Sequence, residues 1–389
     1  MERSCYVVTL KYSPVMWNHG RALGEPIRAA GVPVRYLLDA SYAWMLGSPR
    51  DDTTLVRLGG SANPIVSALA LLTAGGAASL RETFRLRPPD TLVFINLNPL
   101  VDRLVIRMAR SVNPQVRIVT LLHEPHTTEK SVYGWKRAQL LRVFEQLSRG
   151  MARASDAVIV PSENARAAFE LFYRDFQGSV RVIPLAFVDE RCPEPLERRY
   201  VSFVGHIANA YQKGLDLFTE MVEASVQRSG NYQFQLVTGA APSPVVASLS
   251  ARARERLKVV HAPQLSDQAI SRAIRESVAV LLLPRRVMQS GVLPMAMMNG
   301  TPVIASNLPG LTQFVEHAKT GWVVPVEPSL DQRFAAVDAI RADFDAMSIR
   351  CRDLYESVFD SRCVRPHVRW ILGLETPRDA ALRGPEALG

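Results

Sequence analysis

Residues 278–325 read VAVLLLPRRVMQSGVLPMAMMNGTPVIASNLPGLTQFVEHAKTGWVVP. Val278 to Leu283 is a short apolar run closed by Pro284, and Pro302 to Ala305 is a second. Such runs read as buried strands, and the Met-, Leu- and Ala-rich segment between them reads as a helix. Strand, loop, helix, strand is a βαβ unit, whose two strands lie parallel. The loop entering its helix, Gln289-Ser290-Gly291-Val292, puts an amide, a hydroxyl and a residue without Cβ where a helix begins. Free backbone N–H groups and the positive end of the helix dipole meet there, and a phosphate binds well at such an end. Gly291 lets the backbone come close, and Ser290 is a competent N-cap whose hydroxyl can turn to an anion. The same four residues also suit an ordinary capped helix in an α/β sheet.

The spacing around the loop says more. Met295-Ala296-Met297-Met298-Asn299-Gly300-Thr301-Pro302-Val303-Ile304-Ala305 is followed by Asn307-Leu308-Pro309-Gly310, by Glu316, and by Lys319-Thr320-Gly321-Trp322-Val323-Val324. In this the stretch resembles the nucleotide-sugar signature of GT-B glycosyltransferases, specifically the large retaining family 4. That family carries a Glu, seven residues and a second Glu ahead of its Gly-x-Pro-Val-Ile-Ala strand. Here the two positions hold Val287 and Met295, so the carboxylate that holds the donor ribose in relatives is missing. The Gln-Ser-Gly-Val loop resembles a subgroup variant in which backbone amides and Ser290 hold the diphosphate.

Upstream, Tyr200 to Val204 reads as a strand, followed by Gly205-His206, a polar loop and Lys213-Gly214-Leu215. This is similar to the family's Gly-Arg…Lys-Gly segment, whose two cations neutralise the donor diphosphate. Lys213 fits the motif and is one of only six lysines, whereas His206 replaces a permanently charged fork by a group mostly neutral at pH 7. Strands Gln233 to Val237 and Lys258 to Val260 follow, and the second ends at His261-Ala262-Pro263-Gln264. The resemblance makes His261 and Pro263 candidates for the nucleobase pocket.

In the first half, strand Tyr6 to Leu10 leads through a loop ending near Trp17-Asn18-His19-Gly20 into a helix toward Ala30, then strand Val34 to Leu38. Relatives carry a Gly-Gly pair in that loop; this chain has none, so the loop must be shaped differently. A helix over Ile65 to Ala78 precedes strand Thr91 to Ile95. Strand Val116 to Leu122 ends in His123-Glu124-Pro125-His126. Ligands of open parallel sheets sit beyond the carboxyl ends of strands, and a His directly after an apolar strand is poorly explained as core packing. The family commonly has a His there, near the donor sugar. His123 is therefore the best catalytic-face candidate beside Lys213, with Glu124 and His19 on the acceptor side. Tyr133 to Ala154 reads as an amphipathic helix with a basic face, which suits either solvent or lipid headgroups.

A chain of 389 residues favours two domains. With 48% hydrophobic and 21% charged residues it is a packed globular protein rather than a disordered one. The net charge of +9 invites a polyanion, but no nucleic-acid motif accompanies it, and an anionic membrane surface is the better partner. The cysteines, Cys5, Cys192, Cys351 and Cys363, lack the spacing of a zinc site or a disulfide framework. The N-terminus reads as a strand rather than a signal peptide, so the expected location is the cytoplasm, peripheral on the cytoplasmic face of the membrane.

The resemblance spans nearly the whole chain and implies an α/β GT-B fold of two Rossmann-like doubly wound domains facing across a cleft. Residues 1–190 would form the acceptor-binding domain and 198–360 the nucleotide-sugar domain, with a helix over 361–375 returning to the first. The implied activity is a hexosyltransferase of bacterial polysaccharide or glycolipid biosynthesis, working with retention. It would take a nucleotide-diphosphate sugar as donor and a glycan or lipid-linked acceptor, and need no metal or other cofactor. Two alternatives stand: a non-catalytic relative that binds or scaffolds, suggested by Val287 and Met295, and a nucleotide-sugar 2-epimerase. The latter needs carboxylate acid–base residues, of which no convincing set is present.

Overall fold

The computed structural model describes residues 3–13, 15–46, 50–58, 64–73, 76–126, 135–191, 194–205, 207 and 211–375. They form two units. One contains 1–161 and 166–183 and is completed by the described residues from 364 on, and the other contains 162–165 and 184–363.

The first unit is built on seven parallel strands: β1 (Cys5–Thr9), β2 (Val34–Asp39), β3 (Thr53–Val56), β4 (Thr91–Phe94), β5 (Arg117–Leu121), β6 (Ala157–Val160) and β7 (Ser179–Val182). Their order is β3-β2-β1-β4-β5-β6-β7, so the winding reverses between β1 and β4. β1, β4 and β6 are buried throughout, as near-continuous apolar runs must be in a sheet with helices on both faces. The segment 361–375 is not one helix: a 3₁₀ stretch, Ser361–His367, runs into a short helix, Val368–Ile371. Arg117 clasps its end by donating to the Trp370 and Ile371 carbonyls at 3.1 and 3.0 Å. Arg181 and Glu375 add a bidentate pair, 2.8 Å at both contacts.

The second unit has six parallel strands, β8 (Tyr200–Val204), β9 (Gln233–Thr238), β10 (Leu257–His261), β11 (Ser277–Leu282), β12 (Val303–Ser306) and β13 (Gly321–Val324). Their order is β10-β9-β8-β11-β12-β13, with the reversal between β8 and β11. The division falls between Ile183 and Pro184, not at residue 190, so residues 184–190, expected at the end of the first domain, belong to this unit. Tyr355 donates to the Phe187 carbonyl at 2.8 Å within it. Ser162 and Asn164 belong here too, because the Met288 carbonyl accepts from Ser162 Oγ at 3.0 Å and the Met288 sulfur from Asn164 Nδ2 at 3.2 Å.

Two helices differ from expectation. The helix after β1 begins at Met16, so Trp17 to Gly20 lie inside it rather than in the preceding loop. Val15 makes the early entry possible by taking a left-handed conformation, φ +66°, rarely adopted by a β-branched residue. The expected helix over Ile65 to Ala78 is two, Pro64–Thr73 and Gly76–Leu86, the second opening on a glycine. Glycine is a poor helix-interior residue, and the sequence between Thr73 and Ala77 carries two of them.

Candidate functional site

In the second unit, the carboxyl ends of β8 and β11 lie side by side at the reversal, where an open α/β sheet leaves its crevice. Gly205 follows β8 and donates to the Val237 carbonyl at 2.9 Å. The Lys213 ammonium comes back to it: a Cβ on Gly205 would lie 3.6 Å from Nζ. His206 lies outside the described residues. The turn carrying Lys213, Tyr211–Lys213, is a single 3₁₀ turn that enters the Leu215–Ala224 helix through Gly214.

After β11 the chain runs through Leu283 and Pro284 to the Gln289–Val292 loop and the Val292–Met298 helix. Gly291, not Ser290, occupies the N-cap position. Ser290 Oγ instead accepts from the Val292 amide at 3.3 Å, which leaves the hydroxyl hydrogen to donate elsewhere. Gln289 is partly structural: its Oε1 accepts from the Leu185 amide at 3.2 Å, while its Nε2 is buried with no hydrogen-bond partner among the described residues. Gly310 fixes the base of the loop, since a Cβ there would sit 2.4 Å from the Val287 carbonyl oxygen and 2.5 Å from that of Met288. Met295 points into the core and is buried, so that position offers no polar group to a ligand.

His261 and Pro263 lie further along the same edge, at the end of the outer strand β10, and both are exposed. His261 Nδ1 lies 3.1 Å from the Thr238 carbonyl oxygen. The structure thus brings Gly205, Lys213 and the Gln289–Val292 loop to adjacent strand ends and sets His261 and Pro263 two strands away.

The first unit groups its own candidates. His123 Nε2 lies 2.8 Å from the Ile95 carbonyl oxygen. A carbonyl only accepts, so Nε2 carries the proton and Nδ1 offers a lone pair. Burial of the ring, with the positive charge of Lys11 adding to it, pushes His123 down to about 4 against the opposing pull of that hydrogen bond. The ring is neutral at pH 7. His19 is fully buried in the Met16–Ala29 helix, its ring centroid 6.4 Å from that of His123. Glu124 is exposed. The reading from sequence missed Asp102, buried on the Pro99–Val112 helix, where Oδ2 accepts from the Asn98 amide at 2.7 Å. Burial holds its carboxyl well above the usual range, against the Asn98 hydrogen bond and the charge of Lys11. Its only sequence signal is an acid one turn into a helix after a strand.

The depressed His123 value makes stability pH-dependent. Between about 4 in the folded chain and 6.5 in the unfolded one, the unfolded chain binds more protons. The contribution is complete above about pH 6.5 and is lost as the pH falls toward 4, with ~3 kcal/mol as its upper bound. In urea unfolding across that window, His123→Gln is expected to lose less stability than the wild type. An unchanged slope would show that the ring is not enclosed.

Among the described residues, no three His, Cys, Asp or Glu side chains are placed to hold a metal ion. Arg285, which no motif singled out, sits directly after β11 and spans the Tyr211–Lys213 turn, Asp216 and Glu327.

Residues 198–342 match the family model described as Glycosyl transferases group 1. The search of curated proteins found no match by sequence. Solved structures share the fold over nearly the full length. Sucrose-phosphate synthase from Thermosynechococcus elongatus aligns with a TM-score of 0.71 at 17% identity, covering 95% of this chain and 98% of that one. HepE from Anabaena, in complex with UDP and glucose, aligns at 0.68 and 16%, covering 96% and 100%. WaaG, a glycosyltransferase involved in lipopolysaccharide biosynthesis, aligns at 0.65 and 16%, covering 95% and 100%. The two parallel-sheet domains have the GT-B fold of these neighbours.

Proposed function

We propose that the chain transfers a hexose from a nucleotide-diphosphate donor to a hydroxyl acceptor, with retention and without a metal, in the synthesis of a bacterial glycolipid or polysaccharide. The observation that carries this is the second unit's edge: Lys213 folded back on Gly205 at the end of β8, with the Gln289–Val292 loop at the end of the adjacent β11. That edge lies within the span matched by the glycosyltransferase model. UDP bound to HepE supports a nucleotide-sugar donor here.

In this reading the bond from the anomeric carbon to the diphosphate oxygen breaks and a bond from that carbon to the acceptor oxygen forms. The acceptor proton passes to the departing diphosphate. Lys213, the Ser290 hydroxyl and the loop amides stabilise the charge developing on that leaving group, as fixed donors aimed at developing charge do. His123 Nδ1 accepts a hydrogen from a sugar hydroxyl, a role its neutral state suits. The test is calorimetric titration with UDP, GDP and ADP without added metal, followed by a transfer assay with sugars of the nucleotide that binds. Micromolar binding of one diphosphate is the expected result, and a folded protein that binds none of the three overturns the reading.

We further propose that the acceptor is lipid-linked and that the first unit docks on an anionic bilayer of the cytoplasmic face. Among the described residues no single helix is long and apolar enough to cross a membrane. The Pro64–Thr73 helix nevertheless buries Ser67 and Leu71 and leaves Ile65, Val66, Leu69 and Leu72 exposed. The Trp135–Arg153 helix, packed on the same Pro99–Val112 helix, exposes Trp135, Leu140 and Val143 beside Arg142. Exposed apolar side chains with Arg142 among them, on a chain of net charge +9, suit a negatively charged lipid surface. Lys11 Nζ lies 5.8 Å over the Phe144 ring, which connects this face to the end of β1. Co-sedimentation with vesicles containing phosphatidylglycerol, but not phosphatidylcholine alone, is expected. It should weaken with salt and be lost in Leu69→Glu/Leu72→Glu. Wild-type protein that stays in the supernatant with both vesicles, or that covers the face by dimerising, overturns this part.

A further inference from the structure

We infer that Arg285 is a positioning residue, which holds the Lys213 turn against the end of β11 and so places the cation of the proposed donor site. The inference rests on the donor-site reading of Lys213.

As the first cation after a central strand, Arg285 looks suited to substitute for the family's missing arginine at His206. The geometry gives it other work. Its side chain is only 12% exposed and bound to two carboxylates: Asp216 at 2.9 and 2.7 Å, and Glu327 through both oxygens, with Oε2 at 3.1 Å. The same guanidinium donates to the Tyr211 carbonyl and lies 3.7 Å over the centroid of the Tyr211 ring. Two negative charges already flank one positive charge, and the hydrogen bonds to Asp216 and Glu327 hold the group above its ordinary basicity. A phosphate would have to displace a carboxylate to reach it.

What these contacts share is the turn. The Arg285 amide donates to the Gln212 carbonyl at 3.0 Å, the guanidinium takes Tyr211 by its carbonyl and ring, and Asp216 follows in the helix the turn enters. On the same side, Gly214 lies directly on the Leu283 carbonyl. A three-residue 3₁₀ turn has almost no hydrogen bonds of its own, so its position is set by what grips it. Lys213 is a long, flexible point charge, and fixing its root limits where Nζ can travel.

The test compares UDP with UMP, and GDP with GMP and ADP with AMP in parallel, on wild type, Arg285→Lys, Arg285→Gln, Lys213→Ala and Arg285→Gln/Lys213→Ala. If Lys213 meets the outer phosphate, Lys213→Ala brings the ratio of diphosphate to monophosphate affinity toward one. Arg285→Gln is then expected to weaken the diphosphate about 10-fold or more, leave the monophosphate unchanged, and add nothing in the Lys213→Ala background. Arg285→Lys keeps the charge and loses the fork, so it falls between; it carries the comparison if Arg285→Gln does not fold. A residue that only ties loops together would lower both affinities equally. That result, or an unchanged ratio in the Arg285 variants while Lys213→Ala lowers it, overturns the inference and leaves the donor site standing. A wild type that binds none of the nucleotides, or a ratio unmoved by Lys213→Ala, overturns both.

Discussion

Lys213→Ala combined with Ser290→Ala is expected to weaken nucleoside-diphosphate binding by about 10²- to 10⁴-fold, with the folded state nearly unchanged. Each hydrogen bond to a charged group contributes about 1.5–3 kcal/mol, and every 1.4 kcal/mol is tenfold in affinity. Lys213 is exposed, so its truncation removes little packing, and exposed substitutions usually shift stability by no more than about 0.5 kcal/mol. Ser290→Ala also removes the acceptor of the Val292 amide, but Val292 is only half-buried, and a phosphate oxygen or water can replace the hydroxyl there. Calorimetry beside thermal unfolding checks both halves. Diphosphate affinity within threefold of wild type would move the donor site elsewhere and bring the non-catalytic reading forward.

Gly214→Ala should have the largest effect on stability of any single methyl group added near this edge. Gly214 has φ +73°, in the region that costs an L-residue roughly 1–2 kcal/mol. A Cβ there would lie 2.3 Å from the Leu283 carbonyl oxygen, and that atom is strand-end backbone that cannot swing aside. Overpacking of this kind costs about 1–3 kcal/mol, so a total loss of about 2–5 kcal/mol is expected. Relief comes only by lifting the Lys213 turn away from β11, so diphosphate affinity should fall along with stability. Urea unfolding measures the first and titration the second. A variant as stable as wild type would show that the turn does not rest on Leu283.

The two glycines that shape this edge differ in how readable they were. Gly214 follows a lysine at a motif position, and its positive φ is a backbone conformation that glycine takes at no steric cost. Gly310 was visible as part of a spacing, but not its reason, which is the pressure of the Val287 and Met288 carbonyls from another loop. The same holds for Gln289: the loop could be read as an anion cradle, whereas its tie to the Leu185 amide joins residues 104 positions apart. Val15 shows the limit most plainly. The sequence shows that the first loop lacks a glycine pair; it does not show that a β-branched residue takes the left-handed turn instead.

Strand periodicity, the βαβ order and the edge of each sheet that carries polar residues were determined by the sequence alone, because they rest on patterns a few residues long. Apolar runs become buried parallel strands, and the residues after them fall at the carboxyl ends whatever the rest of the chain does. The tertiary structure alone decided which of those polar residues sit between carboxylates. Arg285 and Lys213 are both cations beside a strand end, and nothing local distinguishes them. Asp216 lies 69 positions before Arg285 and Glu327 lies 42 after it, and only when the sheet brings them to one corner is that charge neutralised. Coulomb attraction depends on distance in space, which short-range pattern does not encode.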